Sequence, residues 1–315
     1  MDPKSIDGVL IQWGERLFYP SNRIVNAAPP PRLAGSLMRQ RAKEIRARIE
    51  ATVVRRSPQV MVKVTGGGRG MKAIAAHFKY ISKNGRLDVE DDRGEVLRGS
   101  DDLNGLLDDW RHGGTPIDDV GYRREAFNIM LSMPRGVDAL YVQKAAREFA
   151  EAELAGHKYV MVLHDHQANP HVHLSVRAES RTGKRLNPRK VDLRRWRQVF
   201  AEKLRGWGVE AEATPVSVRG QGRQSESLWK LKARQAGRMK RTQEHRSRAP
   251  RKLGAERMED WTRLFEALSK SESSDDQRLG VAVARFVASA GREIGGATRS
   301  ETVSTPNPRG RVVGG

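Results

Sequence analysis

The sequence contains no cysteine. That excludes a disulfide framework, a zinc–thiolate centre and a cysteine nucleophile. No apolar run approaches the ~18 residues of a membrane span. The opening stretch, MDPKSIDGVLIQWGERLF, lacks the basic-then-apolar layout of a signal peptide. The chain is therefore read as cytoplasmic, with no membrane insertion. Apolar residues make up 37% and aromatics 6%, the former below the ~45–50% of an ordinary globular domain. Part of the chain is expected to lie outside a packed core. Acidic residues are also short in number: 38 Asp+Glu face 58 Lys+Arg, a net charge of +20 on 315 residues. A surplus of this size favours a polyanionic partner, nucleic acid before anything else. A hydrolase of small metabolites would leave it unexplained.

The surplus is sorted along the chain. From Arg177 to Arg205 there are eleven Lys/Arg against three Asp/Glu, and from Arg219 to Lys252 twelve against two. From Arg86 to Asp119 the order reverses, with eleven acids and four bases. A charge run is often only a solvated face. Two basic windows beside an acidic one point to a surface divided by function.

The pattern of residues predicts three regions. Residues 1–57 are a lead, broken at Ala28-Pro29-Pro30-Pro31, with a basic helix over Leu37–Glu50. Residues 58–220 alternate strand and helix signals. Strands are expected at Val60–Val64, Ala126–Met133, Lys158–His164 and His171–Ala178. Helices are expected at Met71–Ser82, stopped by Asn84-Gly85, at Asp101–Arg111, at Ala139–Leu154 capped by Asp138, and after a cap at Asp192. Residues 221–315 form a basic extension: 221–252 is either a basic helix or disordered, a helix is expected around Trp261, Leu264, Phe265 and Leu268, and Thr298–Gly315 is expected to be disordered.

The stretch His164-Asp165-His166-Gln167-Ala168-Asn169-Pro170-His171-Val172-His173 holds four of the eight histidines. Alternate residues of a strand share a face, so His171 and His173 point the same way. A tight link folds His164 back beside them. Three neutral imidazoles then converge from two strands, a donor set suited to a first-row divalent metal with positions left for substrate.

His-x6-His-x-His with Asn169-Pro170 before its second His resembles the third motif of the relaxase/mobilisation nuclease family, HUH endonucleases that include the transfer-DNA border endonuclease. Asn128–Gly136 (NIMLSMPRG) is similar to the family's second motif, and Lys79–Gly85 (KYISKNG) to the first. The likeness runs from about Val60 to Val218. It implies an α/β (α+β) fold: a central, largely antiparallel sheet with flanking helices, followed here by the basic extension. It implies a metal-dependent, site- and strand-specific nickase acting on single-stranded DNA at a transfer origin. Accessory relaxosome and coupling proteins would be partners in a bacterial cytoplasm.

In this resemblance Tyr80 is the nucleophile, forming a 5′-phosphotyrosyl link and releasing a 3′-hydroxyl. His164, His171 and His173 hold the metal, Mn2+ or Mg2+ first and Zn2+ as the other candidate. A phenol, with a pKa of ~10, needs such help at neutral pH. Ser132, Lys79 and Lys83 are candidates for DNA contact, as are Arg177, Lys184, Arg185, Arg189 and Lys190 just after the metal strand. Asp165, His166 and Asn169 are candidate supporting groups. The chain departs from the family at His166, which stands where an Asp is usual, with Asp165 one place early. A replication-initiator-type nickase is the neighbouring alternative, but it usually carries its Tyr after the histidine pair, and no Tyr follows Tyr159. The alternative of another class is a single-stranded DNA- or RNA-binding protein that does not cleave.

Overall fold

A computed structural model describes residues 6–19, 35–219 and 249–299. They divide into two compact units. One comprises Ser57–Ala213; the other combines the residues up to Arg56 with those from Thr214 onward.

The Ser57–Ala213 unit is built on one antiparallel six-stranded sheet. Its strands in chain order are β1 (Met61–Gly66), β2 (Val89–Asp91), β3 (Val96–Leu97), β4 (Ala126–Ser132), β5 (His157–His164) and β6 (His171–Ser180), arranged β1-β4-β6-β5-β2-β3. The period-2 alternation of β4, β5 and β6 divides their side chains between two cores. Ile129, Leu131, Tyr159, Met161, Val172, Leu174 and Val176 face one side, under α5 (Ala139–Glu153) and α6 (Lys190–Gly206). Ala126, Val160 and Val162 face the other, under α3 (Met71–Ile81) and α4 (Gly99–His112). Phe149, Trp196 and Phe200 anchor the first core, Phe78 and Trp110 the second, and all five are fully buried. Burial of each side chain of this size contributes about 1.5–3 kcal/mol.

Local signals account for most elements. The Asp138 carboxylate accepts the Leu140 N–H and starts α5. α3 stops where expected because Lys83, Asn84 and Gly85 all take positive φ, which the backbone of Asn and Gly tolerates. α6 begins two residues earlier than its expected cap. Asp192 lies inside the first turn and accepts the N–H of Arg189. The β2–β3 hairpin carries no strong strand signal. It is held by Asp91, whose carboxylate accepts the backbone N–H groups of Arg93 and Glu95.

The second unit is helical in its described residues, with α1 (Ile6–Phe18), α2 (Gly35–Val53), α7 (Ala249–Ser269) and α8 (Ser274–Arg299). Leu10, Leu17, Ile45, Ile49, Trp261, Leu264 and Leu268 form its core. Arg46 ties three helices together, pairing with Asp7 on α1 and with Asp276 on α8. The expectations for residues 221–248 and 300–315 fall outside the described residues. No helix among those described is long and apolar enough to cross a membrane.

Candidate active site

The register of the sheet builds the site. His171 lies opposite His164 on β5 and Ser132 on β4, and Ser132 in turn lies opposite Met61 on β1. One row of side chains thus crosses four strands. His173, two residues on, lies between Met130 and Val162. The three histidines share the sheet face that carries α3, since Val172 and Leu174 between and beyond them belong to the opposite core.

The imidazoles form a nearly equilateral triangle. Ring centroids are 5.0 Å apart for His164–His171, 4.7 Å for His164–His173 and 5.0 Å for His171–His173. One ligand nitrogen from each ring lies within 4.8 Å of the others. Hydrogen bonds fix which nitrogens are free. His164 Nε2 donates to the Ile81 carbonyl at 2.7 Å, leaving Nδ1 as acceptor. His171 Nδ1 donates to the Asn169 carbonyl at 2.9 Å, leaving Nε2. Such carbonyl contacts set the tautomer of metal-binding histidines. His164 Nδ1 and His173 Nδ1 are buried with no protein partner. Buried nitrogens left open in a convergent cluster fit a cation. Burial pushes the His173 imidazole down to about 3, helped by His164, His171 and His77, and pushes His164 down as well. Both are held neutral, the form a metal needs.

α3 brings the fourth component. β1 runs away from the histidine end of the sheet, and the loop after it turns the chain so that α3 returns. Gly70 makes that turn at φ 153°, where a Cβ would meet the Asp119 carbonyl at 2.5 Å. The last turn of α3 therefore ends beside His164, and Tyr80 stands on it with 71% of its surface exposed. Its ring lies 6.5 Å from that of His173. Lys79 and Lys83 are exposed on either side of it.

The other sequence candidates are distributed unevenly. Ser132 sits beside His171 but is buried, with long contacts to the Met133 and Pro170 carbonyls. Asn169 serves through its carbonyl. Asp165 and His166 are both exposed on the link. The His166 ring lies 5.2 Å from that of His164, and the Asp165 carboxylate is 4.0 Å from His166 Nδ1.

Arg177 corrects the expectation of DNA contact. It is 4% exposed, and its guanidinium donates to the Trp110, Gly113 and Thr115 carbonyls at the end of α4. Lys184 and Arg185 follow β6 in sequence but not near the site. Nine steps from His171 to Ser180 at ~3.3 Å each carry the chain about 30 Å away. Arg185 is bound there to Glu125 and Glu179. Arg189 and Lys190 are exposed at the start of α6, which lies on the opposite face of the sheet.

Sequence reasoning missed His77. It sits one turn before Tyr80 on α3, with its ring 6.3 Å from Tyr80 and 6.3 Å from His173. The signal was available as His-x-x-Tyr on an expected helix, a spacing that puts both rings on one face. Burial pushes its imidazole below the ordinary value, so it too is neutral.

The comparisons with known proteins bear on this geometry. Residues 94–209 match the family model of the relaxase nuclease domain, MobA/VirD2-like. The match includes β4, β5, β6 and all three histidines, and begins after Tyr80. No curated protein matches the chain.

Proposed function

With residues 94–209 recognised as a relaxase nuclease-domain segment, we propose that the protein is a site- and strand-specific DNA nickase that opens a transfer origin for conjugative mobilisation. Its substrate is single-stranded DNA, and Tyr80 is the nucleophile. The observation that carries this reading is the placement of Tyr80 by α3 beside the His164/His171/His173 triangle, 6.5 Å ring to ring from His173. The proximity joins two features separated by more than eighty residues of sequence.

The chemistry is a transesterification. The Tyr80 hydroxyl oxygen forms a bond to phosphorus as the P–O3′ bond breaks. The phenolic proton leaves to solvent, and the departing 3′ oxygen takes up a proton. The product is a 5′-phosphotyrosyl link and a free 3′-hydroxyl, so the phosphodiester can be restored without an external energy source. His164, His171 and His173 would hold a divalent cation, Mn2+ or Mg2+ with Zn2+ as the third candidate, which would supply positive charge to offset that of the phosphate oxygens. The Ile81 and Asn169 carbonyls hold the His164 and His171 rings in their working tautomers. Lys79 and Lys83 meet the backbone phosphates on either side of the nucleophile. Accessory relaxosome and coupling proteins would supply the transfer machinery.

The test uses labelled single strands or supercoiled plasmid carrying a transfer origin. With Mn2+ or Mg2+ the protein should nick one strand and retain it covalently, and chelation should stop the reaction. The Tyr80→Phe protein should bind the same strand without forming an adduct. Binding with no cleavage by the wild type under any of the three cations would instead support the non-catalytic alternative.

A further inference from the structure

We propose that His77 contacts the scissile phosphate, its Nε2–H donating a hydrogen bond to a nonbridging oxygen while Tyr80 attacks. The assignment rests on the nickase reading above and adds a residue to it. Three rings bound one small space: His77 and Tyr80 lie 6.3 Å apart and nearly parallel at 30°, and His173 is edge-on to both. The attacking oxygen comes from the Tyr80 side of this space and the cation site lies on the His173 side. A phosphate attacked by Tyr80 beside that cation site would lie within reach of the His77 ring.

The nitrogen itself supplies the second observation. His77 Nε2 is buried and has no hydrogen-bond partner. More than ~90% of buried polar groups are partnered, and leaving one unmet costs about 1–3 kcal/mol. The neighbouring polar groups on this turn are accounted for: Ser82 Oγ accepts the Gly85 N–H, and His164 Nε2 donates to Ile81. The open nitrogens of His164 and His173 belong to the cation cluster, but His77 does not. Its nitrogen is therefore left for the substrate. Fixed donors of this kind, aimed where charge develops, need no reorganisation during the reaction.

The experiment measures the single-turnover rate of covalent adduct formation on a labelled strand for wild type, His77→Phe and His77→Gln. Phe keeps a ring beside Tyr80 but no donor, while the Gln amide can place a donor near the Nε2 position. Loss of one such donor reduces rates by ~10²–10³-fold, so His77→Phe should fall by about that factor and His77→Gln should stay well above it. Mn2+ affinity should be unchanged by either substitution, and strand affinity, measured in the Tyr80→Phe background, should fall by far less than the rate. A wild-type rate in His77→Phe overturns the assignment, as do equal losses in both variants. Loss of Mn2+ binding overturns it too, by making His77 a ligand. A wild type that forms no adduct refutes the nickase reading itself, which separates the two failures.

Discussion

Arg177→Met separates a structural arginine from a DNA-binding one. The side chain lies in the basic window directly after the metal strand, yet its guanidinium is buried among the carbonyls of Trp110, Gly113 and Thr115. Met preserves the apolar stem and removes every donor. Each carbonyl stranded without a partner costs about 1–3 kcal/mol. Against that, removing the guanidinium relieves a desolvation penalty of several kcal/mol, visible in the lowering of the Arg177 pKa by burial. The expected net loss is about 2–4 kcal/mol. For a unit of this size 1 kcal/mol corresponds to about 2–4 °C, so thermal unfolding should shift down by roughly 4–16 °C. Strand affinity of the folded variant should remain unchanged, as should its dependence on salt. An arginine on a phosphate would instead contribute ~0.7 to the log–log salt slope for a single strand. A variant of wild-type stability with weaker binding and a slope reduced by that amount would refute the structural role.

Lys83→Ala should show the opposite pattern, with stability unchanged, strand affinity reduced severalfold and a salt slope lower by ~0.7; titration at several salt concentrations reads this directly. A cation at 100 times its Kd should stabilise the wild type by ~2.7 kcal/mol, and His173→Ala should lose that shift in a melting experiment with Mn2+ or Zn2+. In the helical unit, Arg46 binds both oxygens of Asp276 at 2.7 and 2.8 Å and holds this carboxylate below its ordinary value of 3.8. The folded state therefore protonates Asp276 later than the unfolded chain. The resulting stability is present above about pH 3.8 and is lost as pH falls through the lower folded value. Arg46→Met should cost about 3 kcal/mol by leaving the buried Asp276 carboxylate without its ion-pair partner, with Ser271 Oγ still donating to it, and acid unfolding followed by circular dichroism should begin at higher pH.

The hairpin that carries the triad was legible because strand periodicity fixes side-chain direction. Once His164 and His171 flank a short link, their pairing and the outward face of His173 follow from alternation alone. The antiparallel sheet with flanking helices was implied by the family likeness, alternation giving only the hairpin within it. The distance of Lys184 and Arg185 from the histidines was not legible, because sequence adjacency to a long strand says nothing of distance at its far end. The burial of Arg177 was not legible because composition cannot tell a solvated guanidinium from one bound to the end of a helix four elements earlier in the chain. α1 went unseen in the lead because its buried face, Leu10, Ile11, Leu17 and Phe18, is completed only by partners distant in the chain. His77 was passed over because its significance depends on where α3 docks, which the return after Gly70 decides.

The central claim is that one phenol, Tyr80, meets a phosphate beside three histidines. Proteolysis and mass spectrometry of the wild-type protein trapped on a transfer-origin strand, with Mn2+ present, test it most directly. A single cross-linked peptide, Tyr80 bearing a 5′-phosphate with its attached nucleotides, is the predicted result. An adduct on another residue, or cleavage with no covalent link, would contradict it.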